Sequence, residues 1–136
     1  MVEMKIVYQG GLRCEATHGP SGNKVITDAP VDNHGKGESF SPTDLVGTAL
    51  GACMMTIMGI VSERHGIDLK GTTVTVQKEM VQQPVRRIGK LTVEIAVPGE
   101  VGEEDRKRLE QAAYTCPVHK SLHPDVATPI TFKWGK

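Results

Sequence analysis

Phe40-Ser-Pro-Thr-Asp-Leu-Val-Gly-Thr-Ala-Leu-Gly-Ala-Cys-Met-Met-Thr-Ile-Met-Gly-Ile-Val-Ser62 decides how the rest of this chain must fold. Ser41 can cap a helix, Pro42 suits its first position, and Asp44 places an acid at N3, where the helix dipole favours one. The pattern predicts a helix that begins at Pro42 and ends near His65-Gly66. Residues 45–62 carry no charge, and apolar side chains occupy every face of the wheel, so the helix is predicted to be buried all round. A membrane span is the weaker reading, because Gly47, Thr48, Gly51, Thr56 and Gly59 dilute the hydrophobicity and no Trp, Tyr or Lys belt flanks the stretch. A chain of 136 residues fits one domain, 1–136. So small a chain needs a second subunit to cover every face of that helix, and Gly47-x-x-x-Gly51 offers a flat surface for a second helix backbone.

On the N-terminal side, Met4, Ile6 and Tyr8 alternate with polar neighbours, as do Leu12, Cys14 and Ala16, and a third short strand covers residues 24–27. Residues 28–38 read as a polar loop. On the C-terminal side, Val74, Val76 and Met80 form one strand face and Leu91, Val93, Ile95 and Val97 another, with Gln82-Gln-Pro84 turning between them. Residues 103–115 read as an amphipathic helix, Pro117 stops it or starts a short new turn, and residues 130–134 alternate as a last strand. The order βββ-α-ββ-α-β predicts an α+β domain with a buried central helix.

Sixteen Lys and Arg balance sixteen Asp and Glu, so the cationic field that nucleic acid or an anionic membrane requires is missing. Neither is an expected partner. Three cysteines without a Cys-x-x-Cys pair, and no signal-peptide core in residues 1–13, point to the cytoplasm, a reducing compartment where cysteines serve catalysis or metals more than disulfide staples.

Two cysteines stand out. Cys53 shares a helical stripe with Val46, Ala49, Ile57 and Ile60, where it is either an inert small hydrophobe or a reactive thiol. Cys116 lies in Thr-Cys-Pro-Val-His119, where proline breaks a helix. If Pro117 starts a new turn, Cys116 occupies its N-cap and the dipole favours its thiolate. The same residues allow a zinc reading, with Cys116, His119 and His123 as ligands and Cys14 or Cys53 as a fourth, although only one ligand cluster exists. Cys14 otherwise reads as packing. Met54, Met55 and Met58, with Ile57, read as core or as the lining of an apolar pocket. No phosphate-binding glycine loop or serine-hydrolase elbow is present, and no cofactor or metal is expected.

Phe40-Ser-Pro-Thr-Asp-Leu-Val and Ala49-Leu-Gly-Ala-Cys53, taken with Cys116-Pro-Val-His119-Lys-Ser-Leu122, resemble the OsmC/Ohr family of peroxide-reducing proteins, over nearly the whole chain and closer to the OsmC-like branch. The resemblance implies an intertwined homodimer whose active sites lie at the subunit interface. It implies a thiol peroxidase that reduces organic hydroperoxides, with Cys53 peroxidatic, Cys116 resolving and an external dithiol, of lipoyl type, as reductant. It also implies an activating arginine from the first strands, for which Arg13 is the match. The glutamate that orients this arginine in the Ohr branch falls at Thr43, so Arg13 is expected to lack its carboxylate unless Asp44 replaces it. The competing reading is a non-catalytic protein that binds a small molecule on the same fold.

Overall fold

The computed structural model describes residues 1–135. Two compact units divide the chain, Met1–Val46 and Gly47–Lys136. The first holds β1 (Met4–Gly10), β2 (Arg13–His18) and β3 (Lys24–Thr27), an antiparallel sheet with β2 in the middle. Gly10 and Gly11 take left-handed φ values of 82° and 60° in the turn from β1 to β2, a conformation that glycine adopts without a Cβ clash. Every residue of β1 is exposed, Ile6 at 58% and Tyr8 at 64%. Residues 28–38 fold tightly upon themselves. Asp28 Oδ1 accepts from Ala29 N and Oδ2 from Glu38 N, a 3-10 turn spans Val31–Asn33, and a Cβ at Gly35 would collide with the Ala29 carbonyl.

The long helix α1 (Pro42–Arg64) starts at Pro42, where the sequence predicts it. Asp44 N donates to Ser41 Oγ at 3.0 Å and Ser41 N donates to Asp44 Oδ2 at 2.9 Å, a reciprocal box that satisfies two donors at the helix end.

In the second unit α1 continues and is followed by β4 (Thr73–Val81), β5 (Arg87–Val97), α2 (Glu103–Ala113), α3 (Pro117–Ser121) and β6 (Ile130–Trp134). The fold is α+β, in the predicted order with α3 added. The strands lie β4-β5-β6, with β4 antiparallel and β6 parallel to β5. Leu91, Val93, Ile95 and Val97 alternate inward from β5, each 0–2% exposed, and Leu50, Met54, Met58 and Leu109 are fully buried. Burying such a side chain is worth roughly 1.5–3 kcal/mol. β5 is thus the spine of the core.

Within the chain the burial of α1 is one-sided: Gly47, Leu50, Gly51, Met54, Met58 and Ser62 are buried, whereas Ala49, Ala52, Thr56 and Ile60 are exposed and form the face expected to need a second subunit. One expectation about α1 needs correction. The glycine pair faces a sheet rather than another helix, since a Cβ on Gly51 would lie 2.9 Å from Val76 Cγ2 and 3.1 Å from Val74 Cγ1, and one on Gly47 would lie 3.3 Å from Leu91 Cδ2. By length and composition α1 would also pass as a membrane span, with mean hydropathy 1.9. Its glycines instead let the helix approach β4 and β5 closely.

Candidate active site

The chain around Cys116 is built to hold a sulfur still. Leu109, Ala112 and Ala113 anchor α2 in the core. Trp134 Nε1 donates to Glu110 Oε2 at 3.0 Å and the Arg106 guanidinium lies 5.8 Å from the Trp134 ring centre, so α2 is also tied to β6. α2 then ends and Pro117 starts α3 at its first position. Cys116 is the N-cap of α3, as its place before Pro117 predicts. Its Sγ accepts from His119 N at 3.4 Å and the residue is 0% exposed.

The N-cap does not favour the thiolate on balance. Burial is the largest influence on Cys116 and raises its pKa above the ordinary thiol value, and a hydrogen bond with the Cys53 thiol raises it further. The amides of His119 and Val118 act the other way and are outweighed. Cys116 is therefore held as a neutral thiol. Because the folded pKa is raised, this preference stabilises the fold fully below the pKa of an unfolded cysteine and is lost as pH rises through the folded value.

Cys53 stands in mid-helix on α1 and is half-buried. Its thiol interacts with that of Cys116, so the second unit brings together two cysteines from α1 and from the α2–α3 junction. Both are free thiols, as is half-buried Cys14, which on β2 pairs in register with Tyr8 and Thr27.

Arg13 belongs to the first unit, and there its expected lack of a carboxylate is corrected. Its Nη2 donates to Glu38 Oε1 at 2.8 Å and lies 3.8 Å from Asp28 Oδ2. Asp28 is 1% exposed and is positioned by two backbone amides, so Arg13 is oriented from the loop of residues 28–38. Asp44 contributes to the helix cap. Sequence reasoning missed Glu38 and Asp28; the only signal was that acids bound a polar loop containing Gly35 and Gly37.

His119 Nε2 is 2.9 Å from Thr128 Oγ1, and its buried Nδ1 has no partner among the described residues. His123 Nδ1 accepts from Asp125 N at 3.0 Å. Among the described residues no three His, Cys, Asp or Glu side chains are grouped to hold a metal ion, so the proposed zinc ligands do not converge. An open groove of about 370 Å³ runs between α1 and β4, lined by Thr48, Gly51, Ala52, Met55, Val74 and Val76. Of the methionines expected at a pocket, Met55 lines this groove, whereas Met54 and Met58 are core.

Comparison with known proteins agrees with this architecture. A protein of Psychrobacter arcticus 273-4, assigned to osmotic stress induction and detoxification response, is 46% identical over 97% of this chain and 96% of its own, with a TM-score of 0.92. Two organic hydroperoxide resistance proteins share the fold at low identity. The one from Legionella pneumophila is 15% identical, with a TM-score of 0.76, and the one from Elizabethkingia anophelis is 17% identical, with a TM-score of 0.77; each alignment covers 98% of this chain and 96% of the other. No curated protein matches the sequence. The model of the OsmC-like protein family matches residues 35–131, a span that takes in the α1 cap, both cysteines Cys53 and Cys116, and all of β4 and β5, and the chain belongs to that family.

Proposed function

We propose that this chain acts as a single domain, 1–136, that reduces organic hydroperoxides to alcohols with Cys53 as the peroxidatic and Cys116 as the resolving cysteine. The observation that carries the reading is the interaction of the two thiols, one half-buried and one fully buried. The Cys53 thiolate attacks the peroxide oxygen, the O–O bond breaks, and the alkoxide leaves as alcohol after taking a proton, with Cys53 left as sulfenic acid. The Cys116 sulfur then attacks Cys53, hydroxide leaves as water with the Cys116 proton, and a disulfide joins the two. An external dithiol, of lipoyl type by family analogy, restores both thiols. Arg13, held by Glu38 and Asp28, is the proposed cation for the Cys53 thiolate.

The active form is a homodimer in the cytoplasm. Apolar residues exposed on β1 and on one face of α1 support the dimer, because a stable chain seldom leaves such surfaces to water. Relatives named for organic hydroperoxide resistance support the substrate class. A binding protein without peroxidase activity is the second reading, favoured by the apolar groove beside Met55.

One equivalent of tert-butyl hydroperoxide should lower the intact mass by two hydrogens, and peptide mapping should join Cys53 to Cys116. Cys53→Ser should abolish peroxide consumption and Cys116→Ser should trap the sulfenic acid. A disulfide through Cys14, or full retention of free thiols, would sink the mechanism in favour of the binding protein.

A further inference from the structure

We propose that the external dithiol opens the Cys53–Cys116 disulfide by attacking the sulfur of Cys53, so that Cys116 is the sulfur that leaves. This rests on the two-cysteine reading above and adds the direction of its reductive half.

The site of thiol–disulfide exchange depends on which sulfur an incoming thiolate can reach and on how readily the other sulfur leaves. The raised pKa of Cys116 makes it the slower leaving group, and reach outweighs that difference here. Cys116 is 0% exposed through the packing of its own chain, so association with a second copy can only keep it covered. Its sulfur is also engaged at the α3 N-terminus by His119 N. A thiolate attacking there would have to displace the first turn of α3. Cys53 is half-buried and projects from mid-helix, where no cap occupies its sulfur. Any path that brings a hydroperoxide to Cys53 brings a small thiolate to the same atom.

In the first step the dithiol's thiolate forms a bond to Cys53 Sγ, the Cys53–Cys116 bond breaks, and its electron pair departs on Cys116 Sγ beside the His119 N–H. Cys116 takes up a proton from solvent, and burial, the largest of the influences that keep it neutral in the reduced protein, favours the thiol over a thiolate that would turn back on the mixed disulfide. In the second step the other sulfur of the dithiol, as thiolate, attacks its own partner sulfur and expels Cys53 as thiolate. The reductant leaves as a cyclic disulfide, and two electrons have passed to the protein.

The test uses the unmodified chain, with the disulfide made by diamide so that its formation does not depend on peroxide chemistry. A brief pulse of 2-mercaptoethanol is quenched with acid, free thiols are capped with N-ethylmaleimide at mildly acidic pH, and peptides are mapped by mass. Mercaptoethanol should sit on Cys53 and maleimide on Cys116, in clear excess over the reverse pattern. Equal or reversed labelling overturns the proposal, as does failure of diamide to join the two residues. If diamide joins them, the Cys53 adduct dominates and peroxide forms no disulfide, the peroxidase reading fails and this inference stands.

Discussion

The sheets of the two units have three strands each, yet their apolar side chains meet different surroundings. In β5 the alternating set Leu91, Val93, Ile95 and Val97 is buried within its own unit, where α1 approaches Leu91 at Gly47, whereas in β1 the alternating set Met4, Ile6 and Tyr8 is more than half exposed. Alternation in sequence states that a face is to be covered; it does not state by what. In the second unit the cover lies in the chain itself. For the first unit the proposed cover is a second copy. The division extends to chemistry, since the second unit carries both interacting thiols and the first carries Arg13 with its carboxylates.

Paired truncations test this contrast most severely. Leu91→Ala should lower the stability measured in urea by about 2–5 kcal/mol, as expected for a fully buried leucine, independently of protein concentration. Ile6→Ala should act instead through association, with light scattering showing dimers dissociating at higher concentration than in the parent chain. A concentration-independent loss at Ile6 as large as that at Leu91 would break the comparison.

Two glycines of α1 sharpen it. Gly51→Ala should cost about 1–3 kcal/mol, because the new methyl would meet valine branches of β4 that cannot swing away. Gly59 has nothing within 4 Å of a built Cβ. Gly59→Ala should therefore stabilise by up to about 1 kcal/mol through helix propensity if that face is free. A destabilised Gly59→Ala would place another chain against that face.

The smallest effect on stability is expected at Glu38. Its pair with Arg13 is substantially exposed, so Glu38→Gln should change stability by about 1 kcal/mol or less. The rate with cumene hydroperoxide should nevertheless fall, because the guanidinium loses its nearest partner while Asp28 remains. Unchanged kcat/KM would show that Glu38 does not position Arg13 for the reaction.

Much of this molecule was legible from neighbouring residues. Ser41 and Asp44 cap α1, Cys116 caps α3 behind Pro117, and β5 turns alternate residues inward, because capping and periodicity involve groups a few residues apart whose positions local geometry sets. Tertiary packing decided the rest. A Gly-x-x-x-Gly spacing makes a flat surface for any close neighbour, and the approach of β4 chose a sheet. Arg13 found Glu38 across 25 residues through a loop whose closure depends on Asp28, a pairing that no local pattern announces. The influence of α3 on Cys116 was read correctly in kind but wrongly in outcome, since the favourable amides are local while the burial and the Cys53 thiol that outweigh them come from distant segments. Sequence determined which groups could cap, alternate and ionise; the folded surroundings determined which of those tendencies prevailed, because desolvation and close contact are set by whatever the chain brings near.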